Sequence, residues 1–150
     1  MFSIEKSPFF RLLLLVNLTA RPFSRLYERR FRITLAEWRV MLALAERPGI
    51  SASELGELLG LEKMTVSRAV RSLEVHGRLA RVPDAQDMRR STLRLTKAGL
   101  ELHDLISPAA RARAEQLLSA LTARERATLD AILDKLVARA RAMPEPVQKP

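Results

Sequence analysis

The chain has 150 residues, 47% of them hydrophobic, no cysteine, and a formal net charge of +9, with an isoelectric point near 11.1. That length allows one domain with a real core, and the absence of cysteine excludes disulfides, thiolate metal sites and a cysteine-based peroxide switch. The charge favours a polyanionic partner (DNA, RNA or an anionic membrane surface), although an arginine-rich composition also follows from genome base bias.

Only five glycines, in a background rich in Ala, Leu, Arg and Glu, predict a mainly α protein. Ser7-Pro8 reads as an N-cap followed by proline in the first turn. The helix it opens runs from Pro8 to about Phe31 with a kink at Pro22. Phe9, Leu12, Leu13, Leu15, Val16, Leu18, Phe23, Leu26 and Tyr27 make too many of its faces apolar for a surface helix, which predicts a partner surface. The apolar run Leu12 to Val16 is too short to span a bilayer, and no cleavable-signal pattern accompanies it. The expected location is the cytoplasm, on the nucleoid, with no membrane partner. Thr34-Leu35-Ala36-Glu37 is a capping box that opens a helix to about Glu46, closed by Pro48-Gly49.

A second capping box, Ser51-Ala52-Ser53-Glu54, opens a short helix with Leu55, Leu58 and Leu59 inward and Gly60 as its stop. Leu61 and Glu62 carry the turn into a second helix, from about Lys63 to His76, that ends at Gly77. Val66, Ala69, Val70 and Leu73 give this helix one apolar face. The other face carries Lys63, Thr65, Ser67, Arg68, Arg71 and Ser72, hydroxyls and cations suited to phosphate oxygens and base edges. In an isolated helix this would be read as an ordinary solvated face. The short helix before it and the hairpin after it shift the reading to DNA, because a winged helix-turn-helix needs those three parts in that order.

The hairpin arms are Leu79 to Val82 and Ser91 to Leu95, where Leu93 and Leu95 alternate with Thr92 and Arg94. Its tip, Pro83 to Arg90, contains Asp87, Arg89 and Arg90. A positive tip suits the negative potential of a minor groove, and Asp87 is placed to orient Arg89; the same pair would also stiffen a surface loop. Thr96 is expected to cap a long helix to about Leu121, bent at Pro108. A third capping box, Thr122 to Glu125, starts a last helix bearing Leu129, Ile132, Leu133, Leu136 and Val137. The proline-rich tail from Met143 is expected to be disordered. Residues 1–32 carry +5, residues 33–60 −2, residues 61–95 +4 and residues 96–150 +2. The second short helix and the hairpin are therefore basic, as DNA contact requires. The basic first helix either flanks DNA or binds an anionic ligand.

These segments together resemble the MarR family of bacterial transcription regulators. Asp87-Met88-Arg89 is similar to the family's Asp-x-Arg wing signature, and Leu93-Arg94-Leu95-Thr96-Lys97-Ala98-Gly99 to its L-x-L-T-x-x-G. The helix from Met64 to Gly77 resembles its recognition helix. Met88 stands where a charge is usual, which predicts one fewer phosphate contact. The resemblance covers nearly the whole chain. It implies a mainly α fold with a small β-wing: a winged helix-turn-helix with N- and C-terminal dimerisation helices. The implied division is a dimerisation helix over residues 1–33, the DNA-binding domain over 34–96, dimerisation helices over 97–143 and a tail over 144–150.

The resemblance further implies a homodimer on a pseudo-palindromic double-stranded operator and a ligand pocket that releases DNA, often to small aromatic acids. The expected function is a sequence-specific transcriptional regulator, a repressor released by such a ligand; the alternative is a ligand-blind nucleoid protein of low sequence preference. The DNA-binding set is Lys63, Thr65, Ser67, Arg68, Arg71, Ser72, Asp87, Arg89 and Arg90. Phe10, Asn17, Arg21, Tyr27, Trp38 and Met41, with Phe23, are the pocket candidates: Arg21 for a carboxylate, the rings for an aromatic ligand. An aromatic stripe at helical spacing equally describes a core. His76 and His103 lie too far apart in sequence, with no shared acidic cluster, for a metal site, so no metal or other cofactor is expected. A glycine-rich phosphate loop, a cysteine nucleophile and a recognisable Ser-His-Asp arrangement are all missing, which argues against an enzyme.

Overall fold

A computed structural model describes residues 4–84, 86–87 and 90–144. The chain divides between Leu105 and Ile106 into two compact units. The first unit opens with a short 3₁₀ turn (Ile4–Lys6) and helix α1 (Pro8–Phe23). Pro22 has no N–H to offer the Leu18 carbonyl, and the chain widens directly after it into a single π turn, Ser24–Glu28. It tightens again as α2 (Arg29–Phe31) and stops at Arg32, which has a left-handed φ of 49°. The expected single kinked helix to Phe31 is thus resolved into three helical pieces joined end to end.

α3 (Leu35–Glu46) starts at Thr34, whose hydroxyl accepts from the Glu37 N–H at 3.2 Å while the Glu37 carboxylate accepts from the Thr34 N–H at 2.7 Å. α4 (Ala52–Leu59) starts with the same reciprocal arrangement between Ser51 and Glu54 and stops at Gly60, whose φ of 62° suits a residue without a Cβ. α5 (Lys63–Val75) follows at once. Strands β1 (Leu79–Pro83) and β2 (Ser91–Leu95) pair antiparallel, with Leu79 opposite Leu95 and Pro83 opposite Ser91. Ile50 adds a single bridge to Leu93, through N–H to carbonyl bonds of 2.9 Å in each direction between residues 49–50 and Leu93. The wing root therefore has a third short arm that strand periodicity alone did not announce.

α3 packs against α4, α5 and β2. Ile33, Val40, Met41, Leu44, Leu55, Val66, Val70, Leu73 and Leu93 are essentially inaccessible to water and form the core. α6 (Lys97–Leu118) begins in this unit. It ends three residues before the expected Leu121, where the Ser119 hydroxyl turns back to the Gln116 carbonyl.

The second unit holds the end of α6 and α7 (Ala123–Ala142). Thr122 and Glu125 form the third capping box. Arg126 joins the two helices by donating to the Leu118 carbonyl at 3.1 Å and to Glu115 at 2.9 Å. Among the described residues no helix is long and apolar enough to cross a membrane, and the expected disorder of the tail falls, from residue 145 on, outside them.

Candidate nucleic-acid interface

The interface begins with which side of α5 is covered. Val66, Ala69, Val70 and Leu73 are buried, so the residues between them face outward. Lys63, Ser67, Arg68 and Arg71 are exposed, and Thr65 and Ser72 are half-buried at the margins. Every charged or hydroxyl group assigned to this helix from sequence therefore lies off its buried side. The acidic Glu74 is withdrawn from that set by an ion pair of 2.9 Å with Arg81 of β1. At the C-terminal end, His76 Nδ1 lies 2.8 Å from the Ser72 carbonyl, where a donor satisfies a helix-end acceptor.

The wing tip is held by its own backbone. The Asp84 N–H donates to the Arg90 carbonyl at 2.9 Å, the Arg90 N–H to the Asp87 carbonyl at 2.8 Å, and the Asp84 carboxylate accepts from the Gln86 N–H at 2.8 Å. Asp87 and Arg90 are exposed on this turn. Arg89, with Met88, lies outside the described residues, and so does the expected Asp87–Arg89 pairing.

The wing root shows what the Thr-x-x-Gly segment does. The Thr96 hydroxyl donates to the Gly77 carbonyl at 2.6 Å and accepts from the Gly99 N–H at 3.1 Å, so one oxygen caps α6 and grips the end of α5. The Thr96 N–H donates to the Arg78 carbonyl at 3.1 Å. A Cβ on Gly99 would collide with that same carbonyl, which explains the glycine. The Arg78 guanidinium, a residue the sequence reading did not single out, donates to the carbonyls of Phe31 and Arg32 at 2.5 and 2.9 Å. It caps the end of α2 and ties the first helical run to the junction of α5 and the wing.

Of the pocket candidates, Trp38 and Met41 are core residues. Tyr27 is half-buried, and Phe10, Asn17 and Arg21 are exposed along α1. Tyr27 and Trp38 share a neighbour, Phe23, and the rings form a ladder: Phe31 to Tyr27 at 6.1 Å, Tyr27 to Phe23 at 4.7 Å, Phe23 to Trp38 at 5.8 Å and Trp38 to His103 at 5.7 Å. His103, assigned no part in this cluster from sequence, closes the ladder and lies 2.9 Å from Asp104.

A buried-backed helix with an outward cationic face, preceded by a bracing helix and followed by a basic wing, defines a winged helix-turn-helix DNA-binding protein. Residues 33–90 match the MarR family model. The chain is similar to a MarR/EmrR family regulator from Acinetobacter sp. ADP1, with a TM-score of 0.86 and 29% identity over 95% of this chain and all of that one. It is also similar to the PcaV transcriptional regulator of Streptomyces coelicolor, solved with its natural ligand, with a TM-score of 0.77 and 25% identity over 93% and 98% of the two chains. The HTH-type transcriptional regulator YybA of Bacillus subtilis is 25% identical over 124 residues, 81% of this chain and 83% of that one. Residues 33–90 thus carry the MarR match, and along nearly its whole length the chain is similar to a MarR/EmrR family transcriptional regulator.

Proposed function

We propose that the protein is a homodimeric repressor that covers a pseudo-palindromic operator and is released by a small ligand, an aromatic carboxylate being the ligand class its residues suit. The observation that carries this reading is the outward face of α5, with Lys63, Ser67, Arg68 and Arg71 exposed over a wholly apolar buried side. Lys63, Thr65, Ser67, Arg68, Arg71 and Ser72 serve the major groove; Arg90, with Asp87 and Arg89, serves the backbone or minor groove beside it. Dimerisation is supported by apolar side chains left in water by the single chain, including Phe9 and Leu13 on α1 and Ile132 and Leu136 on α7. Two copies about a two-fold axis set half-sites about one DNA turn, roughly 34–36 Å, apart.

Ligand release is supported by the ligand-bound state of PcaV and by the aromatic ladder around Phe23, Tyr27 and Trp38. Phe10, Asn17, Arg21 and Met41 complete the proposed pocket set, with Arg21 as the carboxylate partner. Switching requires the ligand to favour a dimer shape whose recognition helices no longer match the groove spacing.

Fluorescence anisotropy with the DNA upstream of the protein's own coding sequence, a scrambled duplex and a panel of aromatic carboxylates tests this. Selective binding that one acid weakens is expected. Equal affinity for both duplexes with no acid effect would instead identify a ligand-blind nucleoid binder.

A further inference from the structure

The outward face of α5 contains a side chain that the polar assignment above leaves unused. Met64 is the second residue of the helix and is 63% exposed. At 100° per residue it lies within about 40° of both Arg68 and Arg71 around the axis, near the middle of the outward face and opposite Val66 and Leu73. Helical side chains lean toward the N-terminus, so Met64 projects past the first turn. In helix-turn-helix proteins those N-terminal residues are the ones that reach base edges. An unbranched thioether can neither donate to nor pair with a phosphate. The apolar feature the major groove offers is the C5-methyl group of thymine, and methionine's three rotatable bonds and polarisable sulfur suit contact with it.

We propose that Met64 is a specificity-determining residue that reads a thymine methyl group in each half-site, with Arg68 and Arg71 supplying polar readout beside it. The inference rests on the reading that α5 enters the major groove.

The test uses the duplex that the full-length wild-type protein selects from random-sequence DNA. Each thymine in turn is replaced by deoxyuridine, which removes the methyl group and leaves the pairing edge intact. The wild type is expected to lose affinity on the order of threefold to tenfold at one thymine per half-site. Met64→Ala should bind the unmodified duplex more weakly by a similar factor and be indifferent to deoxyuridine at that position, while Met64→Leu should retain sensitivity. A wild type indifferent to every deoxyuridine, or a Met64→Ala variant that remains as sensitive as wild type, would overturn the proposal. Failure of the selection to yield any preferred sequence would overturn the groove-reading role of α5 itself, and the Met64 assignment with it.

Discussion

Single side chains set both the helix starts and their response to acid. Ser51 offers its N–H and hydroxyl to the Glu54 carboxylate, each at 2.7 Å, and Thr122 does the same for Glu125 at 2.8 and 2.9 Å. In both glutamates the backbone hydrogen bond comes first and the hydroxyl second in holding the carboxyl below its ordinary pKa. A carboxyl that binds its proton more weakly when folded stabilises the fold above the ordinary carboxylate pKa. That contribution is lost as pH falls through the lowered folded value. Urea midpoints of a Glu54→Gln/Glu125→Gln protein should therefore lie below wild type at neutral pH and converge with it on acidification. A gap that persists undiminished at acid pH would show that these carboxylates act through something other than their charge. All three boxes were legible in the sequence because a Ser/Thr-x-x-Glu cap needs no tertiary partner.

Element ends joined across long sequence separations were much less legible. Arg78 caps carbonyls 46 and 47 residues earlier in the chain, and Ile50 bridges to Leu93. Neither contact leaves a periodic or local trace, so propensity and spacing do not reach them. The signal that was available, Thr96 and Gly99 at fixed spacing, marked the wing root without revealing that Arg78 passes through it. Likewise Pro22 announced a break in the first helix but not its form as a π turn. Arg78→Ala leaves the partly water-accessible carbonyls of Phe31 and Arg32 without their cationic donor and should lower stability on the order of 1–2 kcal/mol. Gly99→Ala, which drives a methyl group into the Arg78 carbonyl, should cost on the order of 1–3 kcal/mol. Chemical denaturation checks both, and a Gly99→Ala protein as stable as wild type would contradict the close approach assigned to that glycine.

At the scale of the whole molecule, composition and apolar patterning pointed the same way as the fold: a mainly helical chain with a basic winged helix-turn-helix between apolar helices. The helix faces in question could be read from spacing, whereas whether a second copy covers them could not, because an apolar stripe does not identify what packs on it. On α7, Ile132, Leu133, Leu136 and Val137 recur at helical spacing and remain 38–49% exposed. If a second copy covers this stripe, Leu136→Glu should convert a dimer into a monomer in sedimentation velocity. It should also weaken operator binding by the loss of two-site attachment; a protein already monomeric before the change would rule the dimer out. Sequence reading by the outward face of α5 is checked by comparing wild type with Arg68→Ala and Arg71→Ala on the selected and the scrambled duplex at several salt concentrations. Each variant should lose on the order of 1–3 kcal/mol of preference for the selected duplex, while its affinity for the scrambled duplex falls little. Unchanged preference in both variants would contradict it and reduce the face to a phosphate-binding surface.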